Sequence, residues 1–294
     1  MTDIATLNDM QAARRARLRL FSTSVRYVLL FAVGLVMLYP LIWLVGASFK
    51  TNSEIFSGAG FIPENPTLDG YIRGWETSTP YTFGRFFWNS FLIILPKVIG
   101  TAISCTMAAY AFARFDFPLK KILFGSVIAI LLLPNVVTRI PQYILFRDLG
   151  WLDSFLPLWV PSAFAGDAFF VFMLVQFLRS LPSDMEEAAR VDGANSLQTL
   201  IYIVVPMLAP ALISVCLFQF MWTMNDFLGP LIYLSSVDKY PVSLALKLSI
   251  DTTEAFEWNR ILAMSVLTIA PALIVFFAAQ RYFIEGISSG GVKG

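Results

Sequence analysis

At 294 residues, with 57% hydrophobic and 14% charged residues and a mean hydropathy of +0.70, the chain is too apolar for a soluble domain of its size. A formal net charge of +1 offers no footprint for nucleic acid, and the absence of any histidine removes histidine-based triads and zinc–histidine sites. Cys105 and Cys216 both lie in apolar runs and read as small buried hydrophobes rather than a disulfide or a metal pair.

Residues 1–26 are polar and carry Arg14, Arg15, Arg17, Arg19 and Arg26, a pattern that suits a basic amphipathic helix over Ala12–Leu20 on a membrane surface. The following apolar run ends in no small-residue cleavage site, which argues against a signal peptide. Tyr27–Phe49 is uncharged and exceeds the ~20 residues needed to cross a bilayer. Residues 50–87 form a mixed loop rich in glycine and proline. Further spans are expected at Trp88–Ala113, at Ile122 to about Leu145 with Pro134, Arg139 and Pro141 inside it, and at Ser154–Leu178 around Asp167. A fifth runs from Leu200 to Met224, followed at Asn225-Asp226 by a re-entrant or interfacial stretch. Residues 235–260 are polar, Ile261–Tyr282 is the sixth span, and 284–294 form a Gly/Ser tail.

Six spans over 27–283 put both termini on one side. With the N-terminus inside, twelve Lys/Arg residues fall in cytoplasmic segments and eight outside, with Lys97 within a span. The same orientation places the loop 181–200 in the cytoplasm.

That loop is the most polar stretch in the second half of the chain. Ser183 with Glu186 three residues later reads as a capping box, and Glu186 and Arg190 stand four apart in the favourable order. Asp192-Gly193 ends the turn, and Asn195 or Ser196 caps the next helix. Glu187-Ala188-Ala189-Arg190-Val191-Asp192-Gly193-Ala194, followed by Ile203-Val204-Val205-Pro206, resembles the EAA signature of ABC importer permeases. Val205 stands where that pattern usually has leucine. Three more stretches resemble carbohydrate-importer permeases of the maltose type: Arg85–Phe91, Trp222–Ile232 (with Thr223 and Met224 between Trp222 and Asn225), and Gln280–Gly294.

The resemblance implies an all-α membrane protein, a six-span type I ABC importer permease with a cytoplasmic coupling helix. Glu186, Glu187, Ala188, Ala189, Arg190, Asp192, Gly193 and Ala194 would meet a separate ATPase subunit. It implies a second, homologous permease, two ATP-binding subunits, an extracytoplasmic solute-binding protein, and a sugar, polyol or glycerol phosphate as substrate. The chain contains no Gly-Lys dipeptide and hence no phosphate-cradling P-loop, so ATP and magnesium are expected in the partners. Ionisable or amide side chains in apolar spans mark candidate pathway residues: Asp167, Asn135, Gln176 and Gln219, with Gln142, Lys97, Arg139 and Asp226 as span-end or helix-pairing groups. An ion-coupled carrier using Asp167 is the alternative reading.

Overall fold

The computed structural model describes residues 4–57, 60–77, 79–251 and 257–291, with side chains at 4–20, 135, 249–251 and 281–291 outside that description. Every regular element among the described residues is helical. The chain divides into two compact units, Met1–Tyr71 with Glu257–Val266, and Ile72–Phe256 with Leu267–Gly294.

In the first unit, helix α1 (Ile4–Ala47) runs unbroken from the basic segment into the first apolar stretch. Its membrane-length portion, Phe21–Ala47, is exposed along most of its length, as a lipid-facing helix is, with Ala47 buried at its end. The chain beyond it is tied down by polar contacts. Ser48 Oγ donates to the Val45 carbonyl at 2.7 Å and lies 2.7 Å from the Tyr71 hydroxyl, and buried Lys50 donates to the Gly60 carbonyl at 2.7 Å.

The second unit is built around helix α2 (Phe83–Arg114), 32 residues long. It packs against α5 (Ala168–Ser180) and α7 (Ala209–Met224) through a core that includes Cys105, Ala109, Phe170, Leu174, Leu178 and Val215. Gly100 allows a close approach: a Cβ there would lie 3.1–3.3 Å from Ala163, the small-residue packing expected inside a membrane. Helix α8 (Trp258–Gly291) closes the chain and contributes to both units.

Among the described residues, four helical segments are long and apolar enough to cross a membrane: Phe21–Ala47, Phe83–Arg114, Leu156–Ser180 and Trp258–Gln280. Two bent pairs raise the number to as many as six, counting each pair as one span. The expected third span is one of these, α3 (Lys120–Leu131) and α4 (Asn135–Asp148), turned by 108° where Pro134 enters. The expected fifth span is the other. Ser196–Met207 and α7 meet at Leu208 with a bend of 79°. Pro206 and Pro210 each lack an N–H, and the turn before Pro206 widens to a π-helix over Leu200–Val204. The fourth span is interrupted as well. A 3₁₀ turn over Val160–Phe164 ends at Ala165 with φ 55°, and α5 starts afresh after Asp167.

The stretch read as polar, 235–260, contains the helix Val242–Asp251, whose Val242, Leu244 and Ala245 are buried. Charged and hydroxyl residues on its flanks masked that apolar face in the sequence. The stretch after Asn225-Asp226 forms the short helix Leu228–Tyr233.

Candidate functional site

The polar segment after the fourth span folds as a short helix, a glycine stop and a second helix start. Helix α6 spans Asp184–Val191. Its C-terminus is a Schellman motif: the Ala194 N–H donates to the Ala189 carbonyl at 2.9 Å and the Gly193 N–H to the Arg190 carbonyl at 3.1 Å. Gly193 adopts φ +88°, which is why glycine stands there. The next helix opens at Asn195, whose side chain accepts from the Gln198 N–H at 2.9 Å while the Gln198 side chain accepts from the Asn195 N–H at 2.9 Å. Of the two expected cap residues, Asn195 fills the role.

The expected Ser183–Glu186 capping box does not form. Ser183 has helical backbone angles (φ −86°, ψ −8°) rather than the extended ones a cap needs, and its hydroxyl donates to the Glu187 carboxylate at 2.9 Å. Glu186 turns inward instead. It is 2% exposed and accepts from Arg114 Nε at 2.7 Å. The same guanidinium donates through Nη2 to the Leu181 carbonyl at 3.1 Å. With Glu186 engaged there, the expected pair with Arg190 is absent, and the Arg190 guanidinium sits 6.0 Å from the Phe115 ring centroid.

Glu187, Ala188, Asp192 and Gly193 lie exposed, and Ala189 and Ala194 are half-buried. Beside them stand exposed apolar side chains that a motif-based reading passes over: Met185 at 54%, Val191 at 89% and Leu197 at 59%. Large exposed apolar side chains of this kind are unusual on a short polar helix. Their signal in the sequence was simple hydrophobicity at positions where a solvated helix would be polar.

Among the candidate pathway residues, the structure brings Asp167 and Gln219 together. Asp167 Oδ2 accepts from Gln219 Nε2 at 3.4 Å and from Thr101 Oγ1 at 3.1 Å. Gln219 and Thr101 are fully buried on α7 and α2, so one carboxylate joins three spans at the break before α5. Thr101 was not foreseen, because a lone threonine in a span carries no sequence signal. Gln176 is exposed and takes no part. The side chain of Asn135 lies outside the described residues. Gln142 accepts from the Tyr233 hydroxyl at 3.4 Å, a contact between distant segments, and Asp226 accepts from the Gly229 N–H at 3.0 Å, a local one. Lys97 and Asp226 line one small pocket with Ser90, Thr223, Pro230 and Pro241.

At the other end of the fourth span, Asp153 holds two loops together. Its carboxylate accepts from the Ser235 and Ser236 N–H groups at 3.0 and 2.9 Å, from Ser236 Oγ at 2.6 Å and from Lys239 Nζ at 2.8 Å. Burial pushes its carboxyl up, but the Lys239 ammonium, the Ser236 hydroxyl and the two backbone donors outweigh it and hold the group well below the usual carboxylate range. Among the described residues, no cluster of carboxylates and cysteines could hold a metal ion.

Residues 100–289 match the family described as the inner membrane component of binding-protein-dependent transport systems. A probable ABC transporter permease protein of Pyrococcus horikoshii is 32% identical over 90% of this chain and 95% of its own length. An alpha-glucoside transport system permease protein of Rhizobium meliloti is 31% identical over 79% of this chain and 62% of its own. The fold resembles a chain in the crystal structure of a bacterial ABC transporter that imports the acidic polysaccharide alginate, with a TM-score of 0.79 and 26% identity over 90% of this chain and 97% of that one.

Proposed function

The chain belongs to the family of inner membrane components of binding-protein-dependent transport systems, and from that premise we propose that it translocates a carbohydrate and takes its driving force from a pair of ATPase subunits, one of which docks on α6. As a permease of an ABC importer it is a multi-pass transport component of the inner membrane rather than an enzyme, and it works with ATPase and solute-binding subunits.

The observation that carries the proposal is the exposed face of α6, where Glu187, Ala188 and Val191 project from a helix whose opposite side is fastened to α2 by Glu186 and Arg114. A helix held this way transmits a push as a rigid body. Alternating access then follows from closure of the ATPase pair, with nucleotide and magnesium held by those partners. A second, homologous permease completes the pathway, and both termini lie in the cytoplasm with α6. The carbohydrate assignment rests on the relatives, which carry alpha-glucosides and alginate. Asp167, Gln219 and Thr101 are the polar groups of this chain proposed to border the route. Nothing in the fold or its relatives favours an ion-coupled carrier, and the partners of Asp167 give its carboxylate a positioning role.

The test is ATP-dependent uptake of a panel of radiolabelled sugars by vesicles carrying the full complex, with parallel pull-down of the ATPase. The double variant Glu187→Ala, Gly193→Pro is expected to lose both uptake and ATPase attachment. Unchanged ATP-dependent uptake in that variant would refute docking on α6, and a panel with no transported sugar would refute the substrate class.

A further inference from the structure

We propose that Arg114 and Glu186 are positioning residues for transport: they form the strut through which movement of α6 reaches the length of α2. The inference rests on the reading of α6 as the ATPase-docking helix.

Arg114 is the last residue of α2 and sits where three segments meet. Its Nε binds Glu186 on α6, and its Nη2 binds the Leu181 carbonyl, the first residue beyond α5. The side chains of the pair are 12% and 3% exposed, so the contact is shielded from water and little screened by salt. One rigid guanidinium spans two acceptors on different segments, which the point charge of a lysine does not reproduce. Two neighbouring cations hold the surroundings: Arg190 lies over Phe115, just past the end of α2, and Arg179 lies 5.0 Å over the Phe124 ring.

From Arg114 the connection runs along a single helix. Thirteen residues back, a distance of about 20 Å at the helical rise, Thr101 donates to Asp167 on the fourth span. Twenty-five residues back, about 38 Å away, Asn89 donates to the Asp238 carbonyl at 2.7 Å and the Tyr240 carbonyl at 3.0 Å. α2 is therefore fastened to α6 at one end, to the broken fourth span in its middle, and to the loop 238–240 at its far end. Displacing α6 without α2 would separate a buried charge pair; moving both together keeps it. The ion pair thus makes the long helix follow the docking helix.

The experiment reconstitutes the full complex with Arg114→Gln, Glu186→Gln, and the exchanged pair Arg114→Glu with Glu186→Arg. ATPase turnover and sugar uptake are measured in the same vesicles. In the two single variants, uptake per ATP hydrolysed is expected to fall about tenfold, within the usual range of coupling between sites, while the ATPase subunits stay bound and hydrolysis continues. The exchanged pair is expected to recover part of the ratio, which a purely packing role would not allow. If Arg114→Gln fails to assemble, Glu186→Gln carries the test alone, because it leaves Arg114 its bond to the Leu181 carbonyl. An unchanged ratio in assembled Glu186→Gln complexes would overturn the strut. Failure of the docking reading is seen separately, as ATPase attachment that survives Glu187→Ala with Gly193→Pro.

Discussion

Glu186 and Glu187 are adjacent in sequence and face different surroundings: Glu186 is buried against Arg114, while Glu187 is exposed and accepts from Ser183, just before the helix. A helix turns 100° per residue, so two neighbouring carboxylates can serve an inner and an outer surface. The two substitutions separate accordingly. Glu186→Ala leaves a buried guanidinium without its anion and is expected to destabilise the subunit by about 3–5 kcal/mol. Glu187→Ala removes an exposed group and is expected to change stability by less than about 0.5 kcal/mol, while weakening ATPase attachment. Thermal unfolding of the purified permease, alongside pull-down, reads both.

Gly193 ends α6 with φ +88° in open space, so a side chain there meets no neighbour but the backbone must hold a left-handed conformation. Gly193→Val is expected to cost about 1–2 kcal/mol, and Gly193→Asn distinctly less. Hydrogen exchange of residues 184–199 checks this, with faster exchange expected for valine than for asparagine.

The Asn195–Gln198 box satisfies two backbone donors at the start of the next helix. Asn195→Ala is expected to lose about 1 kcal/mol and to fray Ser196–Thr199. Asn195→Asp should keep the cap. Limited proteolysis at this segment distinguishes the two.

Asp167 serves two buried donors, Thr101 and Gln219. Asp167→Ala leaves both without an acceptor at about 1–3 kcal/mol each, whereas Asp167→Asn retains a carbonyl oxygen for them. The expected order of melting temperatures is wild type, then Asn, then Ala. A melting temperature for Asp167→Ala equal to that of wild type would show that the contact does not hold the three spans together.

Asp153 gives a pH dependence whose sign follows from its lowered folded-state value. The group binds protons less readily when folded, so its stabilisation is present above the unfolded value of about 3.9 and is lost as pH falls below it toward the folded one. Asp153→Asn is expected to flatten the acid limb of the stability profile below about pH 4 and to leave the profile's shape between pH 6 and 8 unchanged. Unfolding midpoints measured across that range, for wild type and variant, are the check.

Much of this molecule was legible in the chain itself. The apolar runs around Phe21–Ala47, Phe83–Arg114 and Trp258–Gln280 are long enough that the bilayer admits only helix, so composition alone settles them. The glycine at 193 and the asparagine at 195 specify a stop and a start through local backbone chemistry, which needs no distant partner. The break at Pro134 was written in the sequence as a missing donor, whereas Leu200–Met224 read as one unbroken span and the bend at Leu208 was not foreseen. The size of the resulting bends, 108° and 79°, depends on what packs around the freed carbonyls and is a tertiary quantity.

What the sequence determined by itself is the helical, membrane-spanning character of the chain and the local shape of the segment 184–199, because both follow from hydropathy and short-range hydrogen bonding. What the tertiary structure decided is which polar groups meet. Glu186 looked like half of a capping box with Ser183, but Arg114, 72 residues earlier, takes its carboxylate at 2.7 Å. Thr101 carried no signal at all until α2 packed beside the broken fourth span and brought it to Asp167. In a low-dielectric interior a charge must find a partner, and only the packing of distant helices determines which one it finds.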